Sequence, residues 1–224
     1  VTTRYDEAGR TAGTIDSLGA ESAFTYDAED NLVLRRAGTG ALPNPPLISE
    51  SFSSTVGGFN RVAGGACGAS GGVLQLTGAQ SIPNSPDGLV NLANHTTGVA
   101  LLEYDYRAKA QAIQTAGSDE VALVFQYRGQ YNHWFASFDE TNTPYTNGIF
   151  RVTLAGATKV ASFPETTPAG TMNDYLVRLQ GGAVTIFKNG VVMGSAPLTA
   201  TQTGGVGVGT VSSNAQWDDV SLTQ

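Results

Sequence analysis

Residues 173–196 read NDYLVRLQGGAVTIFKNGVVMGSA: three short runs rich in Val, Leu, Ile and Phe, separated by Gly181-Gly182 and Asn189-Gly190. Paired glycine and Asn-Gly supply the positive φ that a two-residue hairpin turn needs, so the stretch predicts consecutive antiparallel strands over 173–180, 183–188 and 191–196. The same grammar extends outward in both directions. Strands are expected at 48–53, 73–77, 88–92, 98–108, 119–128, 132–138, 148–154, 157–163, 204–210 and 215–223, with turns where Gly, Asn and Pro cluster. The fold class implied is all-β, a meandering antiparallel sandwich.

Composition agrees with that reading. Glycine contributes 28 of 224 residues and charged residues only 14%, as many short strands joined by tight turns require. A net charge of -7, with 12 Lys and Arg spread along the chain, excludes the basic patch on which nucleic-acid affinity depends. No run approaches the roughly eighteen apolar residues of a membrane helix, so membrane insertion is not expected. Cys67 is alone, which rules out an intrachain disulfide, and it reads as a structural thiol. Two histidines 38 residues apart, His95 and His133, give no zinc-ligand spacing. With Val1 at its start and no charged-then-apolar leader, the chain reads as part of a larger polypeptide.

Residues 1–40 follow a different grammar. Tyr5-Asp6 is followed by Gly9-Arg10, and 21 residues later Tyr26-Asp27 is followed by Asp30-Asn31-Leu32. Repeats at such a period signal arrays of one supersecondary unit, here a β-hairpin. The pattern resembles the YD repeats of the RHS family, with Asp30 standing where that family usually has Gly. The resemblance implies a remnant of a β-cage wall from a bacterial protein, and with it an extracellular or cell-surface location. Residues 41–46, ALPNPP, form a Gly/Pro linker with the residues just before them, because proline withholds a backbone donor and biases its predecessor to extended geometry. The expected organisation is therefore repeat segment 1–40, linker 41–46 and sandwich 47–224.

Within the sandwich, the order VALVFQYRGQYNHWFASFDE, GIFRVTLAGATKVAS, DYLVRLQGGAVTIFKNGVV, GGVGVGT and AQWDDVSL resembles the concanavalin A-like, or laminin G-like, jelly rolls. These serve as accessory modules on bacterial polysaccharide-acting proteins. The resemblance implies glycan binding on a sheet face and a structural calcium ion. Its ligands would be Glu50 on the first sandwich strand and Asp218 or Asp219 on the last, hard oxygen donors on strands that commonly pair in that fold.

Alternation along LLEYDYR puts Glu103, Asp105 and Arg107 on one face and Leu102, Tyr104 and Tyr106 on the other. Strand 121–128 likewise offers Gln126 and Arg128, and Arg151 punctuates a third strand. If the three strands are neighbours they form a polar shelf, with Tyr131, His133 and Trp134 beside it. Carboxylates and amides accept from sugar hydroxyls, Arg donates in a fork, and a ring faces the C–H side of a pyranose. The plainer reading of the shelf is a solvated outer face, and Trp134, inside the apolar run WFASF, also fits the core. Glu103-x-Asp105 resembles the E-x-D-x-x-E strand of a glucanase family, but Ala108 replaces the second Glu, so the carboxylate pair of a glycosidase is incomplete. The function expected is a non-catalytic carbohydrate-binding module for a polysaccharide or surface glycan. The alternatives are a structural or adhesive protein-contact module and, below that, a glycoside hydrolase or polysaccharide lyase.

Overall fold

The computed structural model describes residues 2–6, 8–15, 21–26, 32–38, 46–53, 55–63, 66–77, 91–95, 102–113, 120–139, 147–163, 170–198, 203–210 and 214–224. The chain divides into two compact units, Val1–Pro45 and Pro46–Gln224. Among the described residues no helix is long and apolar enough to cross a membrane.

The first unit is a four-stranded antiparallel meander, β1 (Thr2–Tyr5), β2 (Thr11–Ile15), β3 (Glu21–Tyr26) and β4 (Leu32–Gly38). The residues of the repeat motif close its first turn. Asp6 Oδ1 accepts from the backbone N–H of Ala8 at 3.0 Å and of Arg10 at 2.8 Å, and Arg10 Nε donates to Asp6 Oδ2 at 2.7 Å. Gly9 takes the positive φ of 79° that the turn requires. The Tyr of the second copy then covers the Arg of the first. Arg10 lies 4.8 Å from the Tyr26 ring centre, and the Tyr26 hydroxyl donates to Thr11 O at 3.0 Å.

The second unit is a sandwich of two antiparallel sheets. Its strands in chain order are β5 (Ile48–Glu50), β6 (Phe59–Ala63), β7 (Ala66–Ser70), β8 (Val73–Thr77), β9 (Asn91–His95), β10 (Tyr104–Ile113), β11 (Glu120–Tyr127), β12 (His133–Asp139), β13 (Gly148–Thr153), β14 (Gly156–Ser162), β15 (Asn173–Gln180), β16 (Ala183–Lys188), β17 (Val191–Pro197), β18 (Gly205–Thr210) and β19 (Asn214–Thr223). One sheet has eight strands in the order β17-β16-β15-β10-β19-β8-β7, with β5 also pairing β19. The other has seven, β14-β13-β12-β11-β18-β9-β6. Both hairpin turns expected within 173–196 form with positive φ, at Gly181 and Gly182 (59° and 75°) and at Asn189 and Gly190 (51° and 79°).

Strand β10 runs five residues beyond its expected end. The tail Lys109 to Ile113 is written in weak strand formers, yet Ala108, Ala110 and Ala112 alternate inward and are buried. Their small size leaves room for paired neighbours, Tyr175 opposite Ala108 and Trp217 opposite Ala110. Strands β6 and β7 were not expected; Gly and Ala in 57–70 disguise them as loop. Residues 88–90, 98–101 and 119 of three expected strands, and Asp27, Asp30 and Asn31 of the second repeat copy, lie outside the described residues.

The core between the sheets is filled by Trp134, Trp217, Tyr106, Tyr175, Phe59, Phe125 and Phe138 with aliphatic neighbours. Tyr106 Oη crosses it to donate to Gly207 O at 2.9 Å, joining β10 to β18. The seven-stranded sheet is apolar on its other face too, where Ala122, Val124, Phe135, Phe150 and Val152 cluster and the two Phe rings stack at 4.7 Å. This explains the unbroken run VALVF, and it overturns the expectation that 121–128 carries one polar face.

Candidate functional site

The structure separates the residues expected to share a shelf. Glu103, Asp105 and Arg107 belong to the eight-stranded sheet and its lead-in, whereas Gln126, His133, Trp134 and Arg151 belong to the seven-stranded sheet and Arg128 and Tyr131 to the turn between two of its strands. Strands 101–107 and 121–128 are not neighbours, and no single shelf forms.

Gln126, His133 and Trp134 are wholly buried. Trp134 stacks on Phe125 with centroids 6.4 Å apart, which makes it core rather than a sugar platform. His133 Nδ1 faces Gly129 O at 3.0 Å, and the ring packs between Tyr127 and Phe135. Gln126 sits at a β-bulge with φ 48°. Arg151 turns back onto its own sheet, donating to His133 O at 2.8 Å, to Val152 O and to Asn132 Oδ1 at 2.6 Å, with its guanidinium 5.4 Å from the Trp134 ring. Burial lowers the affinity of that guanidinium for its proton. Arg128 and Tyr131 stay exposed in the β11–β12 turn.

The outward face of the eight-stranded sheet keeps the rest. Register places Arg178 opposite Asp105, Leu176 opposite Arg107 and Asp174 opposite Lys109 across β10 and β15. Thr223 and Ser221 of β19 flank Asp105 and Arg107 on the other side. Arg178 grips Asp105 in a fork, Nε to Oδ1 at 2.8 Å and Nη2 to Oδ2 at 2.6 Å. That hydrogen bond raises the pKa of Arg178. Arg178 also lies 5.4 Å from the Phe187 ring centre, over the neighbouring strand. Arg107 Nε stands 3.6 Å from Asp174 Oδ1. Lys109 Nζ donates to Asp219 Oδ2 at 2.6 Å, a bond that raises the lysine's pKa. Glu103 Oε1 accepts from the Gly181 N–H at 2.9 Å, so the glycine turn positions a side chain as well as the chain.

Three depressions follow this face. The first, about 420 Å³, is lined by Glu103, Asp105, Arg178, Gln180 and Thr223 among others. The second, about 190 Å³, shares Asp105 and Thr223 with it, and the third, about 340 Å³, shares Arg107 and Ser221 with the second. They lie in a row along β10, adjoining ones sharing lining residues.

The expected calcium ligands behave differently. First and last sandwich strands do pair, with Glu50 opposite Val220. Glu50 Oε1, however, accepts from the Gly58 N–H at 2.8 Å and lies 3.2 Å from His95 Nε2. Asp219, at a bulge with φ 47°, is held by Lys109, and Asp218 Oδ1 caps the Asp219 N–H at 2.8 Å. With an ammonium at one carboxylate and N–H donors on the others, this set does not fit a divalent cation. Among the described residues no group of three or more His, Cys, Asp and Glu could hold a metal ion.

Sequence reading missed Arg178, Asp174, Lys109, Ser221 and Thr223. A signal was present: Arg178 is a lone charge inside the apolar run LVRLQ, and a charge so placed on a strand finds an opposite charge across the ladder.

No family model matches the chain, and no curated protein matches it. Solved structures do. The carbohydrate-binding module CBM66 from Bacillus subtilis is 15% identical with a TM-score of 0.62, covering 75% of this chain and 96% of that one. A Bacillus subtilis protein of unknown function with a galectin-like fold is 11% identical with a TM-score of 0.58, over 82% of this chain and 97% of that one. The fold is a galectin-like, concanavalin A-like sandwich. The GH43 protein BlXynB from Bacillus licheniformis, 12% identical with a TM-score of 0.58, matches 91% of this chain with 46% of its own length.

Proposed function

We propose that the sandwich is a non-catalytic carbohydrate-binding module that takes a polysaccharide or surface glycan on the outer face of its eight-stranded sheet. The observation that carries this is the Asp105–Arg178 fork in a depression lined also by Glu103, Gln180 and Thr223. Carboxylate, guanidinium, amide and hydroxyl converge there, the mixture that fixes a polyhydroxylated ligand, and ion pairing holds the long side chains in place before any ligand arrives. Likeness in fold to a carbohydrate-binding module supports the reading. Asp105 and Asp219 are each tied to a cation, so neither stands free as a proton donor or a nucleophile of the kind glycoside cleavage needs. The site on this reading is Glu103, Asp105 and Arg107 with Arg178 and Thr223. Tyr131 and Arg128 are outside it.

The reading carries with it an extracellular or cell-surface location in a larger bacterial polypeptide. The same reading takes residues 1–40 as YD repeats of the RHS type, on their sequence pattern of Tyr5-Asp6, Gly9-Arg10 and Tyr26-Asp27.

Affinity electrophoresis through gels containing soluble polysaccharides tests the proposal. Retardation by at least one glycan is expected, weakened about tenfold or more in Arg178→Ala and in Asp105→Asn and unchanged in Arg128→Ala. Free migration in every gel would overturn it in favour of a protein-contact module.

A further inference from the structure

Resting on that reading, we infer that the occupant carries no anionic groups and is a run of several consecutive sugar units laid along β10. Two observations carry this, the succession of adjoining depressions along β10 and the pairing of the cations that line them. The three depressions share residues end to end, and their lining advances along one strand from Glu103 to Lys109. Six strand steps cover about 20 Å, longer than one sugar ring.

The cations that line the depressions are Arg178, Arg107 and Lys109, and each faces a carboxylate of its own, Asp105, Asp174 and Asp219. A uronate or sulfated sugar would have to draw a cation away from its partner and leave that carboxylate facing like charge. Glu103 lines the first depression, accepts from the Gly181 N–H and is in none of these ion pairs, so an amino sugar meets no such cost there. A neutral sugar disturbs none of these pairs. A carboxylate oxygen offers more than one lone pair, so an oxygen already bonded to Arg or Lys still accepts from a hydroxyl. The chain's net charge of -7 repels polyanions further.

The experiment is a panel of gels holding neutral polymers (dextran, mixed-linkage β-glucan, galactomannan, arabinoxylan, a fructan), anionic alginate and polygalacturonate, and cationic glycol chitosan, each run at low and high salt. The oligosaccharide series of whichever polymer retards the protein is then titrated calorimetrically. Retardation by a neutral polymer that salt leaves unchanged is expected, with the tetrasaccharide binding about tenfold or more tightly than the disaccharide. Lys109→Ala, at the far end of the row, is expected to remove that length advantage and to leave disaccharide affinity intact. Arg178→Ala is expected to weaken both, with circular dichroism showing the variant folded. Retention confined to alginate or polygalacturonate and abolished by salt would overturn the non-anionic occupant while leaving glycan binding standing, whereas retention by glycol chitosan would support it. Equal affinity for disaccharide and tetrasaccharide would overturn the extended occupant alone. Unretarded migration in every gel would remove both this inference and the reading beneath it.

Discussion

Asp6 shows how one carboxylate can define a turn. It accepts two backbone N–H groups and a guanidinium while its own carbonyl takes the Gly9 N–H at 3.0 Å. Hydrogen bonding to the Arg10 backbone, together with the Arg10 side chain, holds its pKa below the ordinary carboxylate value. A depressed carboxylate contributes stability that is fully present above its unfolded value near 4 and is lost as pH falls through the lower folded value. The Arg10 amide resonance is therefore expected to titrate with a midpoint below that of an unstructured Asp peptide, followed by NMR from neutral to acid pH. A midpoint at or above the peptide's would remove the turn's claim on Asp6. At Asp105 and Asp219 the paired charges act as positioning devices, since exposed ion pairs contribute little to stability.

At the scale of elements, bulges decide where side chains go. Strand β11 shifts register against β18 between Val124 and Tyr127, and Gln126 there adopts φ 48°. The Gln126 N–H meets the Tyr104 hydroxyl at 3.3 Å, so the bulge is answered from the opposite sheet. Gly204 makes this possible, because a Cβ on it would lie 2.5 Å from the Gln126 carbonyl carbon and 2.8 Å from its oxygen. Backbone cannot move aside as a side chain can. Gly204→Ala is expected to destabilise the sandwich by about 1–3 kcal/mol, read as a lower urea midpoint at unchanged slope; an unchanged midpoint would refute the close approach. Bulges also mark the limit of what alternation reveals. Hairpins over 173–197 are legible because Gly-Gly and Asn-Gly announce the turns, and the faces of 103–107 because Tyr and charge alternate strictly. The partner strand of β10 was not legible, since pairing with β15 and β19 joins residues some 70 and 110 positions apart, as in Asp105 with Arg178 and Lys109 with Asp219. The unbroken run VALVF was the local sign of a strand buried on both faces, and reading alternation through it to Gln126 and Arg128 misplaced the shelf.

At the scale of the whole molecule, the chain's last strand stands in the middle of its sheet. Along one edge β19 pairs β10 from Asp105 to Ile113; along the other it pairs β8 through Ala215–Trp217 and β5 through Val220–Leu222. Its inward side chains Ala215, Trp217, Val220 and Leu222 are all buried in the core. The eight-stranded sheet therefore cannot close until the final eleven residues are present, and the depressions lose Thr223, Ser221 and Asp219 with them. Loss of one large buried aromatic costs about 3–5 kcal/mol, against a total stability of about 5–15 kcal/mol for an ordinary domain. Removing Trp217 together with two further large apolar side chains and both hydrogen-bonded edges exceeds that margin. Deletion of residues 214–224 is expected to leave the chain aggregated or without a cooperative thermal transition by circular dichroism. A truncated chain that still melts cooperatively would mean that β10 and β8 close the sheet without β19, and the central place assigned to the last strand would fall.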